Sequence, residues 1–158
     1  AVVKILNQLF TRFDELANKH GLEKIKTLGD AFMVAGGMPD PQADHAERVA
    51  RMALDMISET ESFSEEIGKQ LQLRIGIHSG PVVAGVIGTK KPFYDVWGDT
   101  VNTAARLESF GTIGKIQVTE ETKQMLEKEF SFENRGKVSI KGKGDLDLWY
   151  LKGSRSKD

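Results

Sequence analysis

Asn102 and Arg106 stand four residues apart in the stretch Y-D-V-W-G-D-T-V-N-T-A-A-R-L-E-S, residues 94–109. That spacing puts an amide and a guanidinium on one face of a helix. The helical neighbours of Arg106 at three and four residues are Asn102, Thr103, Ser109 and Phe110, and none is acidic. A guanidinium with no intrahelical carboxylate takes its partner from elsewhere. Its planar fork suits a carboxylate on another element or the oxygens of a phosphate, and the spacing admits both.

Other residues invite the same question. Asp30 follows Gly29 between two short apolar runs, where an aspartate serves as a turn residue or as a ligand for a hard cation. Lys26 lies on one of those runs and Asp95 in an apparent loop, positions at which charged side chains are commonly solvated. Lys141-Gly142-Lys143-Gly144 offers two lysines on a backbone that glycine leaves free to approach a ligand, which suits a phosphate clamp or a basic surface turn. The stretch is not a P-loop, because G-x-x-x-x-G-K-[ST] is absent. His20, His45 and His78 lack metal-binding spacing and carry no assigned chemistry.

The elements that position these residues follow from periodicity. Val2, Ile5, Leu6, Leu9, Phe10, Phe13, Leu16 and Ala17 recur at mostly three- and four-residue steps and predict an amphipathic helix closed by Gly21. Leu22 to Leu28 and Ala31 to Val34 predict a β-hairpin with Asp30 at its tip. Asp44, with Glu47 three residues on, predicts a capping box before a second long helix built on Val49, Ala50, Ala53, Leu54 and Ile57. Leu71 to Ile77 and Pro81 to Gly88 read as two strands expected to pair. A short helix follows Gly98. Gly114 to Val118 reads as a strand leading into a helix that is capped by Thr119 and ends near Phe130. Two final strands flank the lysine-glycine turn, and residues 153–158 read as a frayed tail.

The opening order of helix, strand, strand, helix, strand is an α+β, ferredoxin-like βαββαβ core lacking its first strand, with further α and β elements after it. The sequence predicts that strand before Ala1. Without it, its neighbours in the sheet would face a gap.

Bulk properties limit the alternatives. The chain has 158 residues, 39% of them hydrophobic, enough for one globular domain with a sizeable core. Its 22 basic and 23 acidic residues give a net charge of −1, so nothing in the balance points to nucleic acid or an acidic membrane. With no cysteine, disulfides, thiolate metal sites and cysteine nucleophiles are excluded, which fits a reducing, cytoplasmic setting. No run is long and apolar enough to predict a transmembrane helix.

Taken together, E-K-I-K-T-L-G-D-A-F-M-V-A-G-G, L-R-I-G-I-H-S-G-P-V-V-A-G-V-I-G, the stretch at 94–109 and K-G-K-G-D-L closely resemble the class III nucleotidyl cyclases, the adenylate and guanylate cyclase catalytic domains. The resemblance covers nearly the whole chain in order and assigns a catalytic domain to residues 1–152. It implies cyclisation of ATP to 3′,5′-cyclic AMP with release of pyrophosphate. Two Mg²⁺ or Mn²⁺ ions would be held by two aspartates. Asp30 matches the second. The first belongs to a motif on the strand expected before Ala1, which implies a truncated domain with little activity by itself.

The resemblance also implies that Lys26 and Asp95 read adenine through N1 and the N6 amino group, since guanylate cyclases usually place glutamate and cysteine there. Asn102 would orient the ribose, Arg106 would stabilise the transition state and Lys141 would bind triphosphate. Arg106 thereby acquires a partner in substrate. Each site would lie between two subunits, and because this chain carries members of both residue sets, a symmetric homodimer is expected. An alternative is a degenerate cyclase-like module that binds nucleotide or dimerises without turnover. A ferredoxin-like RNA-binding domain is opposed by the near-neutral charge and the absence of an RNP aromatic motif.

Overall fold

The computed structural model describes residues 2–28, 30–38, 41–90, 93–140 and 142–155. The chain divides into two compact units, residues 1–72 with 84–95 and residues 73–83 with 96–158.

In the first unit, α1 (Val2–Lys19) and α2 (His45–Ile67) accompany the antiparallel strands β1 (Glu23–Leu28) and β2 (Ala31–Ala35). The apolar stripe expected of α1 is the face it buries: Leu9, Phe13 and Ala17 are in the core. Phe13 meets Phe32 of β2 edge-on at 5.6 Å, and Ala17 clusters with Leu22 and Met52. Arg12 ties the two helices together through Glu59 at 2.7 Å and Glu66 at 2.8 Å. The capping box expected at α2 does not form. The Asp44 side chain makes no cap bond and instead accepts a hydrogen bond from Arg48 Nε at 2.9 Å, because a charged guanidinium one turn on outcompetes a neutral backbone N–H.

In the second unit the sheet order is β3 (Ile75–Ile77), β6 (Ile116–Thr119), β8 (Gly144–Ser154), β7 (Phe130–Ile140). The expectation that the strand at 71–77 pairs with the strand at 81–88 is incorrect. β3 pairs in parallel with β6, Ile75 opposite Ile116 and Ile77 opposite Val118, while β4 (Val83–Ile87) pairs with β5 (Phe93–Trp97) in a separate two-stranded sheet, most of whose residues belong to the first unit. Parallel neighbours require a crossover, and α3 (Asp99–Ser109) supplies it. β5 is also a correction: Asp95 lies on a strand, not in a loop. β6 is buried at every position, as a central strand covered on both faces must be.

Gly76 lets α3 lie directly on β3. A Cβ there would stand 2.5 Å from the Glu108 amide nitrogen and 2.7 Å from the Ala104 carbonyl oxygen. α4 (Glu120–Leu126) ends before Phe130, which opens β7. Thr119 precedes α4 as expected but makes no side-chain cap bond; its hydroxyl is engaged by Thr122 Oγ1 at 3.0 Å and by His78 Nδ1 at 2.7 Å. The fraying expected from Gly153 is incorrect at that position, since β8 includes Gly153 and Ser154 and the Arg155 amide donates to the Glu129 carbonyl at 2.8 Å.

Candidate functional site

The first unit brings two of the singled-out residues together. Lys26 is on β1 just after a register shift between Lys24 and Lys26, and an extra residue in one strand re-aims the side chains that follow it. Ile25, the residue inside the shift, is buried. Lys26 Nζ reaches Asp95 Oδ2 at 3.0 Å, the lysine side chain 30% and the aspartate 15% exposed. Neighbouring donor and acceptor of this kind, mostly removed from water, can read the edge of a planar ring that offers the complementary pattern. Asp30 stands exposed at the hairpin tip. Among the described residues no three His, Cys, Asp or Glu side chains gather around a common point. A single exposed carboxylate suits a cation that takes one or two carboxylates and completes its shell with phosphate oxygens and water, as Mg²⁺ does.

The second unit fixes α3 at both ends. Thr100 Oγ1 donates to the Pro81 carbonyl at 2.6 Å, and Asp99 forms an ion pair with Lys143. At the other end the fully buried Gln117 donates through Nε2 to the Leu107 carbonyl at 3.0 Å, and Arg135 donates to the Phe110 carbonyl at 2.9 Å. Asn102 is exposed and Arg106 half-buried on the helix held in this way. Arg106 makes an interaction of its own within the chain, so the fold does not leave it waiting for substrate alone. Gly142, between the two lysines and at φ +82°, lies against it: a Cβ at Gly142 would be 3.8 Å from Arg106 Nη1. The arginine and the lysine-glycine turn, 35 residues apart in sequence, are neighbours in space. Lys141 lies outside the described residues.

Residues 1–153 match the profile of the adenylate and guanylate cyclase catalytic domain. The chain belongs to that family, the class III nucleotidyl cyclases. The cyclase sequence is 46% identical over 154 residues to an adenylate cyclase of Mycobacterium bovis, a match that takes in 98% of this chain and 35% of the relative. It is 44% identical over 152 residues to the guanylate cyclase soluble subunit beta-2 of Rattus norvegicus, covering 95% of this chain and 22% of that protein. It thus spans about a third of the first relative's length and less of the second. Among solved structures it superposes on the guanylate cyclase domain of RhGC from Catenaria anguillulae in complex with GTP, with a TM-score of 0.91, 36% identity and coverage of 98% of this chain and 85% of that one. The cyclase relatives thus include proteins named for each nucleotide.

Sequence reasoning missed several residues that surround or hold α3. Asp99 and Lys143 were not identified as a pair, although Asp99 lies three residues before Asn102 and seven before Arg106, on the same helical face. Gln117 and Arg135 carry no local signal, because their partners are carbonyls on a distant helix. His78 is half-buried, and burial first of all holds its pKa below the usual imidazole value, with Glu121 opposing and Lys143 adding to the shift.

Proposed function

We propose that residues 1–152 act as an adenylate cyclase catalytic domain, converting ATP to 3′,5′-cyclic AMP and pyrophosphate at sites shared between two copies of the chain. The observation that carries the choice of ATP is the Lys26–Asp95 contact at 3.0 Å. A lysine donor directed at adenine N1 and a carboxylate accepting from the N6 amino group complement adenine. Guanine presents a carbonyl oxygen where adenine has the amino group, and an N–H where adenine has a lone pair.

In the reaction a bond forms between the ribose 3′ oxygen and the α-phosphorus as the bond from that phosphorus to pyrophosphate breaks. Asn102 orients the ribose so that the 3′ oxygen stands in line with the leaving group, which is where positioning lowers the barrier. Arg106 stabilises charge as it develops on the phosphoryl oxygens, and Lys141 binds the triphosphate. Asp30 would hold Mg²⁺ or Mn²⁺, which when bound supplies acidification of the 3′-hydroxyl and neutralisation of phosphate charge. No protein nucleophile is required.

In the homodimer one copy contributes Asp30, and the other contributes Lys26, Asp95, Asn102, Arg106 and Lys141. The test is complementation in the full protein, with cyclic AMP and cyclic GMP measured separately. Arg106→Ala and Asp30→Ala should each abolish most turnover. Mixed, they should recover up to about a quarter of wild-type activity, because about half the dimers are mixed and each has one whole site. Mixed dimers that form without regaining activity would refute the shared site, and cyclic GMP as the main product would refute the base assignment.

A further inference from the structure

Asp99, Asn102 and Arg106 fall at i, i+3 and i+7 of α3, one stripe along about 10 Å of helix. The turn between β7 and β8 meets this stripe at both ends. Lys143 forms an ion pair with Asp99 in the first helical turn, with the lysine side chain 23% and the aspartate 75% exposed. Gly142 lies near the Arg106 guanidinium two turns later, where a Cβ added to it would stand 3.8 Å from Nη1. The turn is itself closed by the Lys143 amide donating to the Ile140 carbonyl at 2.8 Å, and its glycines adopt φ of +82° and +77°, conformations that favour glycine over other residues. The first turn of α3 is held on a second side by Thr100, whose methyl and hydroxyl fill the space beside Gly80 and whose hydroxyl binds the Pro81 carbonyl.

From this placement we infer that Asp99 and Lys143 are a positioning pair for the reaction: their ion pair seats the lysine-glycine turn on α3 and so sets where the Arg106 guanidinium stands. The inference rests on the role given to Arg106 above. Lys143 is thereby engaged by Asp99. An arginine that stabilises a transition state is sensitive to displacement in a way that ground-state binding is not, because small misplacements of a catalytic group cost rate. Loss of the ion pair therefore acts on kcat more than on KM.

The experiment is a double-mutant cycle in the full protein, with kcat and KM for cyclisation measured for each variant. Because the aspartate side is exposed, Asp99→Asn and Lys143→Met should each lower kcat about three- to fivefold with KM changed less than about twofold. In an Arg106→Ala background the same substitutions should leave kcat within about 1.5-fold, since the group they position is gone. The exchange Asp99→Lys with Lys143→Asp should recover most of the rate lost by either single reversal, which also controls for variants that fail to fold. Full additivity with Arg106→Ala, an effect carried by KM, or failure of the folded charge exchange to recover rate would each overturn the inference. An Arg106→Ala enzyme with unchanged kcat would instead remove the role of Arg106 itself, a separate failure read from a separate variant.

Discussion

Replacing Lys26 with glutamate and Asp95 with cysteine offers a quantitative test of base selection. The two side chains meet at 3.0 Å, the aspartate mostly buried. In the proposed role each charge-assisted hydrogen bond from the pair to an adenine edge would contribute about 1.5–3 kcal/mol to discrimination. Two such bonds sum to about 3–6 kcal/mol, or about 10²–10⁴-fold in the ratio of kcat/KM for ATP to that for GTP.

The single substitution Lys26→Glu should be worse than the double. It sets two carboxylates about 4 Å apart, a repulsion of about 4 kcal/mol at an effective dielectric near 20, reduced by the partial exposure of position 26. That variant is expected to lose turnover of both nucleotides. The double variant relieves the repulsion, restores a donor and acceptor in the opposite sense, and should favour GTP. The assay is initial-rate formation of cyclic AMP and cyclic GMP from each nucleotide alone and in competition. An unchanged preference in an active double variant would refute the assignment of these residues to the base.

Two further outcomes test the framework that holds the site. Gly76→Ala should destabilise the protein by about 1–3 kcal/mol or more, read as a lower denaturant midpoint, because its Cβ would meet backbone atoms of α3 at 2.5 and 2.7 Å and backbone cannot yield as a flexible side chain does; an unchanged midpoint would contradict the close approach of helix and strand. His78, whose pKa burial holds below its unfolded value of 6.5, should make stability pH-dependent. The unfolded chain takes up the proton first, so the contribution is complete above pH 6.5 and is lost as pH falls from there toward the folded-state pKa. Thermal unfolding between pH 7 and 5 should show this decline, and His78→Asn should flatten it; an equal decline in both proteins would assign the effect to other groups.

Much of the local structure is written in the chain. The four-residue spacing of Leu9, Phe13 and Ala17 determines a helix with one apolar face, and that is the face the fold buries. The hairpin at Asp30 follows from two short apolar runs separated by Gly29. The motifs around Lys26, Asp30, Asp95, Asn102, Arg106 and Lys141 pointed to a nucleotidyl cyclase, and the profile match over residues 1–153 bears out the family.

What the sequence could not decide was which distant segments meet. Residues 71–77 and 81–88 both have strand character, but periodicity reports only that one face of each is apolar; partner choice depends on the path of the intervening chain, and here α3 carries β3 to β6. Asp95 looked like a loop residue because Asp-Val-Trp-Gly offers too few alternating positions to announce a strand. Asp44 looked like a cap because the capping pattern does not weigh the guanidinium one turn on. The Asp99–Lys143 ion pair and the approach of Gly142 to Arg106 join residues more than 30 positions apart. Local propensity acts over a few residues, whereas a site for a charged ligand is made by groups that the chain must first fold to bring together, and only the tertiary structure holds that information.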